Sequence, residues 1–341
     1  MTRALVGGAV AAGVVAGYLA ERAAMRPRLS APEPAGPPLG SIEGDRSEVR
    51  GPDGLRINVE THGPEGAPQV VFAHGWVCST RVWHEQVVGL GDRVRLVTYD
   101  QPGHGMSSDP RSGEFTIDLF GDTLAAVLEQ ATDPGPVVLC GHSLGGMSIL
   151  NALRRHPHLR DRVSSVLLLS TASRAAADDV RFGFGIHSVA RFEAFIRRVL
   201  HLGGPGAPAF AARVYAISTD LSFLLTREFG LWRGAQPRYV DFTEQLLLDS
   251  DFHMVTGVIG PLLQLDEDEA LECIGTRTVV LCGSEDWLTP VGLSRRMAER
   301  CEPAELIELP GVGHMTPLEA APTVNAVLAE MIAAVPQRVG A

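Results

Sequence analysis

The chain contains no lysine: all 29 of its basic residues are arginine, set against 40 aspartates and glutamates for a formal net charge of -11. That balance argues against a nucleic-acid partner, because affinity for a phosphate backbone rests on clustered positive charge. Cysteine is scarce too. The five thiols, Cys78, Cys140, Cys273, Cys282 and Cys301, make no CxxC pair and no zinc-like spacing, which argues against a disulfide framework or a metal site. Cys140 and Cys282 lie in apolar, strand-like runs, where a free thiol behaves as a small buried hydrophobe and points weakly to a reducing compartment. Strand-like runs are themselves missing between about Ser173 and Cys273, where helical patterns dominate.

What remains is ample for a folded enzyme. At 341 residues, with 45% hydrophobic and 20% charged residues, the chain fits one α/β core carrying one inserted subdomain. From Ala4 to Ala20 it is apolar and small throughout, near the lower limit of ~17 residues for spanning a bilayer. Three readings compete. A membrane anchor is favoured by Gly13 and Gly17 at GxxxG spacing and by Arg22, Arg26 and Arg28 beyond the run, which would place the enzyme domain in the cytoplasm. A secretory signal is the second, although only Arg3 precedes the run and cleavage after Ala20 would set Tyr18 at an awkward position. The third is a soluble helix packed on the core, for which the glycine content is poor. Residues 1–26 are therefore an apolar segment, and 27–44, with Pro27, Pro32, Pro34, Pro37 and Pro38, form a linker.

From residue 45 onward, strand-like runs alternate with helical patterns: Gln69–Gly75, Arg93–Asp100, Pro136–Ser143, Val163–Thr171, Thr276–Asp286 and Ala304–His314. Alternation of this kind implies βαβ units and a mostly parallel sheet covered on both faces. The expected core is 45–173 with 273–341, and 174–272 is expected to be a helical cap. Nine of the twelve phenylalanines fall between Phe182 and Phe252. Most would serve cap packing, and the rest could line an apolar acyl pocket.

The chemistry is concentrated in three places. Gly141-His142-Ser143-Leu144-Gly145 follows an apolar strand and precedes a helix, the context of a GxSxG nucleophile elbow. Its glycines are needed where a sharp strand-to-helix turn crowds the backbone. A serine hydroxyl is a weak nucleophile and needs a positioned base. His314, in the glycine-rich loop Leu309-Pro-Gly-Val-Gly-His314, is the candidate, whereas His156, His158 and His201 read as surface or capping residues and His142 as packing behind the serine. The imidazole's other N–H needs an acceptor. Glu285 and Asp286 both end a buried run, and Asp286 is the choice; it stands too early to cap a helix starting near Pro290. An oxyanion needs backbone donors already in place, expected from Leu144 N–H and from the loop His74-Gly75-Trp76, with Trp76 N–H preferred. The loop from Tyr99 to Ser107 reads as structural.

From about residue 50 to 336, the chain resembles the α/β-hydrolase fold family, and His74-Gly75-Trp76 with Ser79 and Trp83, Gly103-His104-Gly105 and Gly141 to Gly146 are similar to its capped esterase, lipase and cofactor-free haloperoxidase branches. The resemblance implies an eight-stranded, mostly parallel sheet, the triad Ser143, Asp286 and His314, and oxyanion donors on Trp76 and Leu144. The chain lacks the HGGG segment of the hormone-sensitive-lipase-like branch, and its elbow serine departs from the aspartate of the epoxide-hydrolase and dehalogenase branches. A carboxylic ester, lipophilic or of medium size, is the expected substrate, with no metal, nucleotide or flavin required. A carbon–carbon hydrolase of the same fold and a non-catalytic binding protein are the alternatives.

Overall fold

Eight strands form one sheet in the order β1-β2-β4-β3-β5-β6-β7-β8. They are β1 (Asp45–Arg50), β2 (Arg56–His62), β3 (Gln69–Ala73), β4 (Arg95–Tyr99), β5 (Val137–His142), β6 (Val163–Leu169), β7 (Arg277–Gly283) and β8 (Ala304–Leu309). The computed structural model describes residues 36–175 and 234–335. The run Ala4–Ala20, half of the expected linker, His201 and most of the expected cap lie outside the described residues.

The strands from β3 to β8 run parallel, while β1 and β2 are antiparallel to each other and β2 is antiparallel to β4. The sheet is therefore mixed. Its antiparallel hairpin escapes the strand-like runs read from sequence because β1, Asp-Arg-Ser-Glu-Val-Arg, buries only Val49. The parallel strands also end before the runs that announced them: β8 stops at Leu309, and the glycine-rich remainder is loop.

Alternation within each parallel strand builds two cores. Val70, Phe72, Val138, Cys140, Leu167, Leu169, Val279 and Leu281 face one side, against α1 (His84–Leu90) and α9 (Ala321–Ala333). Val71, Val137, Leu139, Val166, Leu168 and Val280 face the other, against α2 (Ile117–Gln130), α3 (Leu144–Arg155) and α7 (Val291–Arg300). Burial on both faces is why these strands read as continuous apolar runs.

The described part of the 174–272 stretch is helical, with α4 (Pro237–Leu248), α5 (Phe252–Leu263) and one-turn α6 (Asp268–Leu271). One-turn α8 (Thr316–Glu319) precedes α9. Two starts follow directly from sequence: Thr116 Oγ1 accepts from Leu119 N at 3.0 Å ahead of α2, and Asp251 Oδ1 from His253 N at 2.7 Å ahead of α5. Each such cap satisfies a first-turn donor that has no acceptor in its own helix. Glu267, 4% exposed, accepts from Arg154 Nε at 2.7 Å and from Asn151 Nδ2 at 2.7 Å, joining the segment ahead of α6 to α3.

Upstream of β1, the chain is seated on the domain. Leu39 packs against the first core, Gly40 N donates to His84 Nδ1 at 3.2 Å, and Gly40 lies against the Phe242 ring of α4 and the Arg81 side chain. Among the described residues, no single helix is long and apolar enough to cross a membrane.

Candidate active site

The strand order reverses between β3 and β5, which are neighbours although β4 lies beyond β3. At such a switch point, two loops diverge and leave a crevice at the carboxyl ends of the strands. Ser143 follows β5 and the segment His74-Gly75-Trp76 follows β3, so both open onto it.

Ser143 adopts φ 51° and ψ -118° between β5 and α3, a conformation costly for a residue with a side chain. Its surroundings hold it there. Ser143 N donates to Leu169 O at 2.9 Å, and Thr171 Oγ1–H donates to Ser143 O at 2.6 Å. A β-carbon on Gly145 would run into the Ala73 carbonyl, and one on Gly141 would lie 2.6 Å from Gly146 N, so both positions need glycine. Leu144 is the first residue of α3, and its amide belongs to the first turn, where the helix offers no acceptor.

The segment after β3 passes beside the elbow: a β-carbon on Gly75 would stand 3.2 Å from Ser143 Cβ and 2.7 Å from His142 Nδ1. Its course is fixed by Gln101, whose N donates to His74 Nε2 at 3.0 Å and whose side-chain amide donates to His74 O. Gln101 Oε1 in turn accepts from Ser148 Oγ at 2.9 Å, on α3. His74 Nδ1–H donates to Gly75 O at 2.7 Å, and burial pushes its pKa down to about 4, so the ring is neutral. Val77 follows at φ 54°, an uncommon conformation for a β-branched residue.

His314 and Asp286 meet from the loops after β8 and β7. His314 Nδ1 lies 2.9 Å from Asp286 Oδ2 and 3.0 Å from Oδ1, with both residues under 7% exposed. The carboxylate also accepts from Leu288 N at 3.0 Å, Thr289 N at 2.8 Å and Thr289 Oγ1 at 2.8 Å. Burial alone would raise the Asp286 pKa, but the adjacent imidazole and the Thr289 donors outweigh it and hold the carboxyl below its usual range. Glu285 is exposed.

The loop bearing His314 is gripped on every side. Gly313 N and Met315 N each donate to the Glu319 carboxylate at 3.1 Å. The His314 carbonyl accepts from Thr316 N at 2.8 Å and from His142 Nε2–H at 2.9 Å.

Ser143, Trp76 and Leu144 thus share one edge of the sheet, with His314 and Asp286 on the loops after neighbouring strands, and the His314 ring centroid stands 4.9 Å from that of His142, the residue before the serine. His156 and His158 are elsewhere, paired with Asp122 at 2.8 Å and Glu129 at 3.0 Å. The loop after β4 is held by Asp100, which accepts from Thr80 N at 2.8 Å, Met106 N at 2.9 Å and Asn58 Nδ2 at 2.9 Å. Sequence reasoning missed Thr289, Glu319 and Gln101. Thr289 carried a signal, a hydroxyl three residues after an aspartate in a turn; Glu319 accepts from the nearby amides of Gly313 and Met315 but no motif marks it, and Gln101 carried none, since His74 and Ser148 come near it only in the fold. Around the elbow, Leu144 and Met147 pack with Met254 and Val258 of α5, and Trp76 and Val77 lie against them.

A model of the alpha/beta hydrolase fold matches residues 68–321. The chain is 27% identical over 281 residues to a bifunctional esterase/perhydrolase of Acinetobacter calcoaceticus, covering 80% of this chain and 94% of the relative. It is 29% identical over 269 residues to a pimeloyl-[acyl-carrier protein] methyl ester esterase of Chromobacterium violaceum, covering 76% and 91%. A thermophilic esterase from Thermogutta terrifontis superposes with a TM-score of 0.64 at 21% identity, over 85% of this chain and 98% of that one.

Proposed function

Because the chain belongs to the α/β-hydrolase fold family, we propose that it is a serine hydrolase that cleaves a lipophilic or medium-sized carboxylic ester. The observation that carries this reading is the buried His314–Asp286 pair beside an elbow that holds Ser143 at φ 51°. Ester hydrolysis is also the activity named for both full-length relatives.

Ser143 Oγ attacks the ester carbonyl carbon while His314 Nε2 takes its proton. Asp286 stays ionised, accepts the Nδ1–H and so keeps Nε2 free as the base. The amides of Leu144 and Trp76 receive the developing oxyanion. The tetrahedral intermediate collapses, His314 protonates the leaving alcohol, and the acyl group remains on Ser143. Water then attacks the acyl-enzyme with His314 as base, and the acid is released. The apolar cluster of Leu144, Met147, Met254 and Val258 supports an apolar acyl group, with Met254 and Val258 coming from the described part of the stretch we take as the cap, 174–272.

We further propose that Ala4–Ala20 anchors the enzyme to a membrane with its catalytic domain cytoplasmic; recovery of the full chain in the soluble fraction of its cell would sink this. For the hydrolase reading, the test is hydrolysis of p-nitrophenyl esters from acetate to palmitate by the full chain in detergent. Ser143→Ala should lower kcat by at least ~10³-fold, since removing the nucleophile leaves only binding and the oxyanion donors. Turnover that survives the substitution, or none by the folded wild type, would refute it.

A further inference from the structure

His142 sits one residue before Ser143, is 1% exposed, and touches all three parts of the site. Its Nε2–H donates to the His314 carbonyl at 2.9 Å. Its Nδ1 is buried, has no partner among the described residues and faces Gly75, in the segment ahead of Trp76. Its ring stands against that of His314, tilted by 51°. A side chain serving only as filler at this place would need no polar atoms, and burying an imidazole with one nitrogen unpaired is costly.

We propose that His142 is a positioning residue for the base: its Nε2–H···O=C bond ties the elbow to the His314 loop and sets the distance between nucleophile and imidazole. The inference rests on the hydrolase reading above. A donor on Nε2 with a bare Nδ1 is one tautomer of a neutral ring. Burial, the largest influence, together with the neighbouring His314, lowers the His142 pKa to about 3, so the ring remains a neutral single donor while His314 gains and loses its proton. A charged ring at this distance would oppose formation of the imidazolium, and a neutral one does not.

The geometry separates two kinds of substitution. Phenylalanine keeps the ring and loses the donor; glutamine loses the ring but carries an amide N–H near the position of Nε2. His142→Phe should lower kcat on p-nitrophenyl esters by on the order of 10²-fold with KM little changed, the scale of a misplaced catalytic group. His142→Gln should recover kcat to within about tenfold of wild type on the same argument. Filling alone would give the opposite ranking, and that ranking, or a loss confined to KM, would overturn the proposal.

Nitrogen NMR of the wild-type chain supplies a readout independent of turnover. The His142 ring should be protonated on Nε2 and bare on Nδ1 from pH 5 to 9; protonation on Nδ1 would overturn the proposal even if both variants proved too unstable to assay. Absence of ester hydrolysis in the folded wild type would instead refute the hydrolase reading, and the tautomer measurement would still decide whether His142 donates to the His314 loop.

Discussion

Ser143 carries two opposed demands. As the proposed nucleophile, it must hold its hydroxyl clear of the sheet, and its backbone occupies φ 51°, ψ -118°, where a side chain costs about 1–3 kcal/mol. Glycine adopts this conformation freely. Ser143→Gly should therefore abolish hydrolysis yet raise stability by about 1 kcal/mol, once the greater entropy of an unfolded glycine is set against the strain relieved. Urea unfolding of the two proteins measures this, and a less stable Ser143→Gly would mean that the elbow is not strained in the folded chain. The same site shows which residues a sequence discloses. Ser143, Asp286 and His314 are legible because each ends an apolar run and enters a glycine-rich or acidic turn. Gln101 is not, because its side chain joins His74 to Ser148 of α3 only after distant segments have met, and Glu319 is not, because the loop must first turn back before its carboxylate can accept from Gly313 N and Met315 N.

At the scale of elements, the central parallel strands were readable and the edge strand β1 was not, for one reason. Strands covered on both faces must be apolar throughout, whereas β1 stands at the sheet edge with a single buried residue, and its sequence cannot be told from a polar loop. Element boundaries were blurred because the runs read from sequence extend past the strands into polar and glycine-containing turns, as from Gly283 to Asp286 and from Leu309 to His314. Glu267 ties the segment ahead of α6 to α3. This carboxylate is almost fully buried and is satisfied by Arg154 and Asn151 of α3. Removing one member of such a pair leaves the other uncompensated, at about 3–5 kcal/mol for full burial; Arg154 is 33% exposed, so Glu267→Ala should cost about 2 kcal/mol after discounting for solvent screening. Thermal unfolding would show the loss, and an unchanged midpoint would mean that the ion pair contributes nothing net.

Over the whole molecule, buried neutral histidines set the response to acid. His74 is depressed to about 4, and His104 and His142 to about 3, each mainly by burial; His62 and His84 shift in the same direction for the same reason. Below pH 6.5 the unfolded chain binds protons that the folded chain refuses, so stability falls as pH falls, by up to ~1.4 kcal/mol per unit for each fully shifted ring. Asp286, depressed in the fold, adds a loss below its unfolded value near pH 4. Asp100, raised by burial, opposes these as a single group. The melting temperature should thus drop between pH 7 and pH 5, and His104→Phe should flatten the slope; a level profile would show that these rings are protonated in the folded state.

The seat of Leu39 and Gly40 on α1 and α4 has a kinetic meaning. Eighteen residues separate Ala20 from Leu39, at most about 65 Å of extended chain. With the apolar run inserted in a bilayer, the domain would be leashed within that radius of the surface, and any ester residing there would meet it at an effective concentration in the ~mM range whatever its amount in bulk water. Turnover of such a substrate would follow its density in the bilayer plane, and a weak affinity measured in free solution would cost the enzyme little.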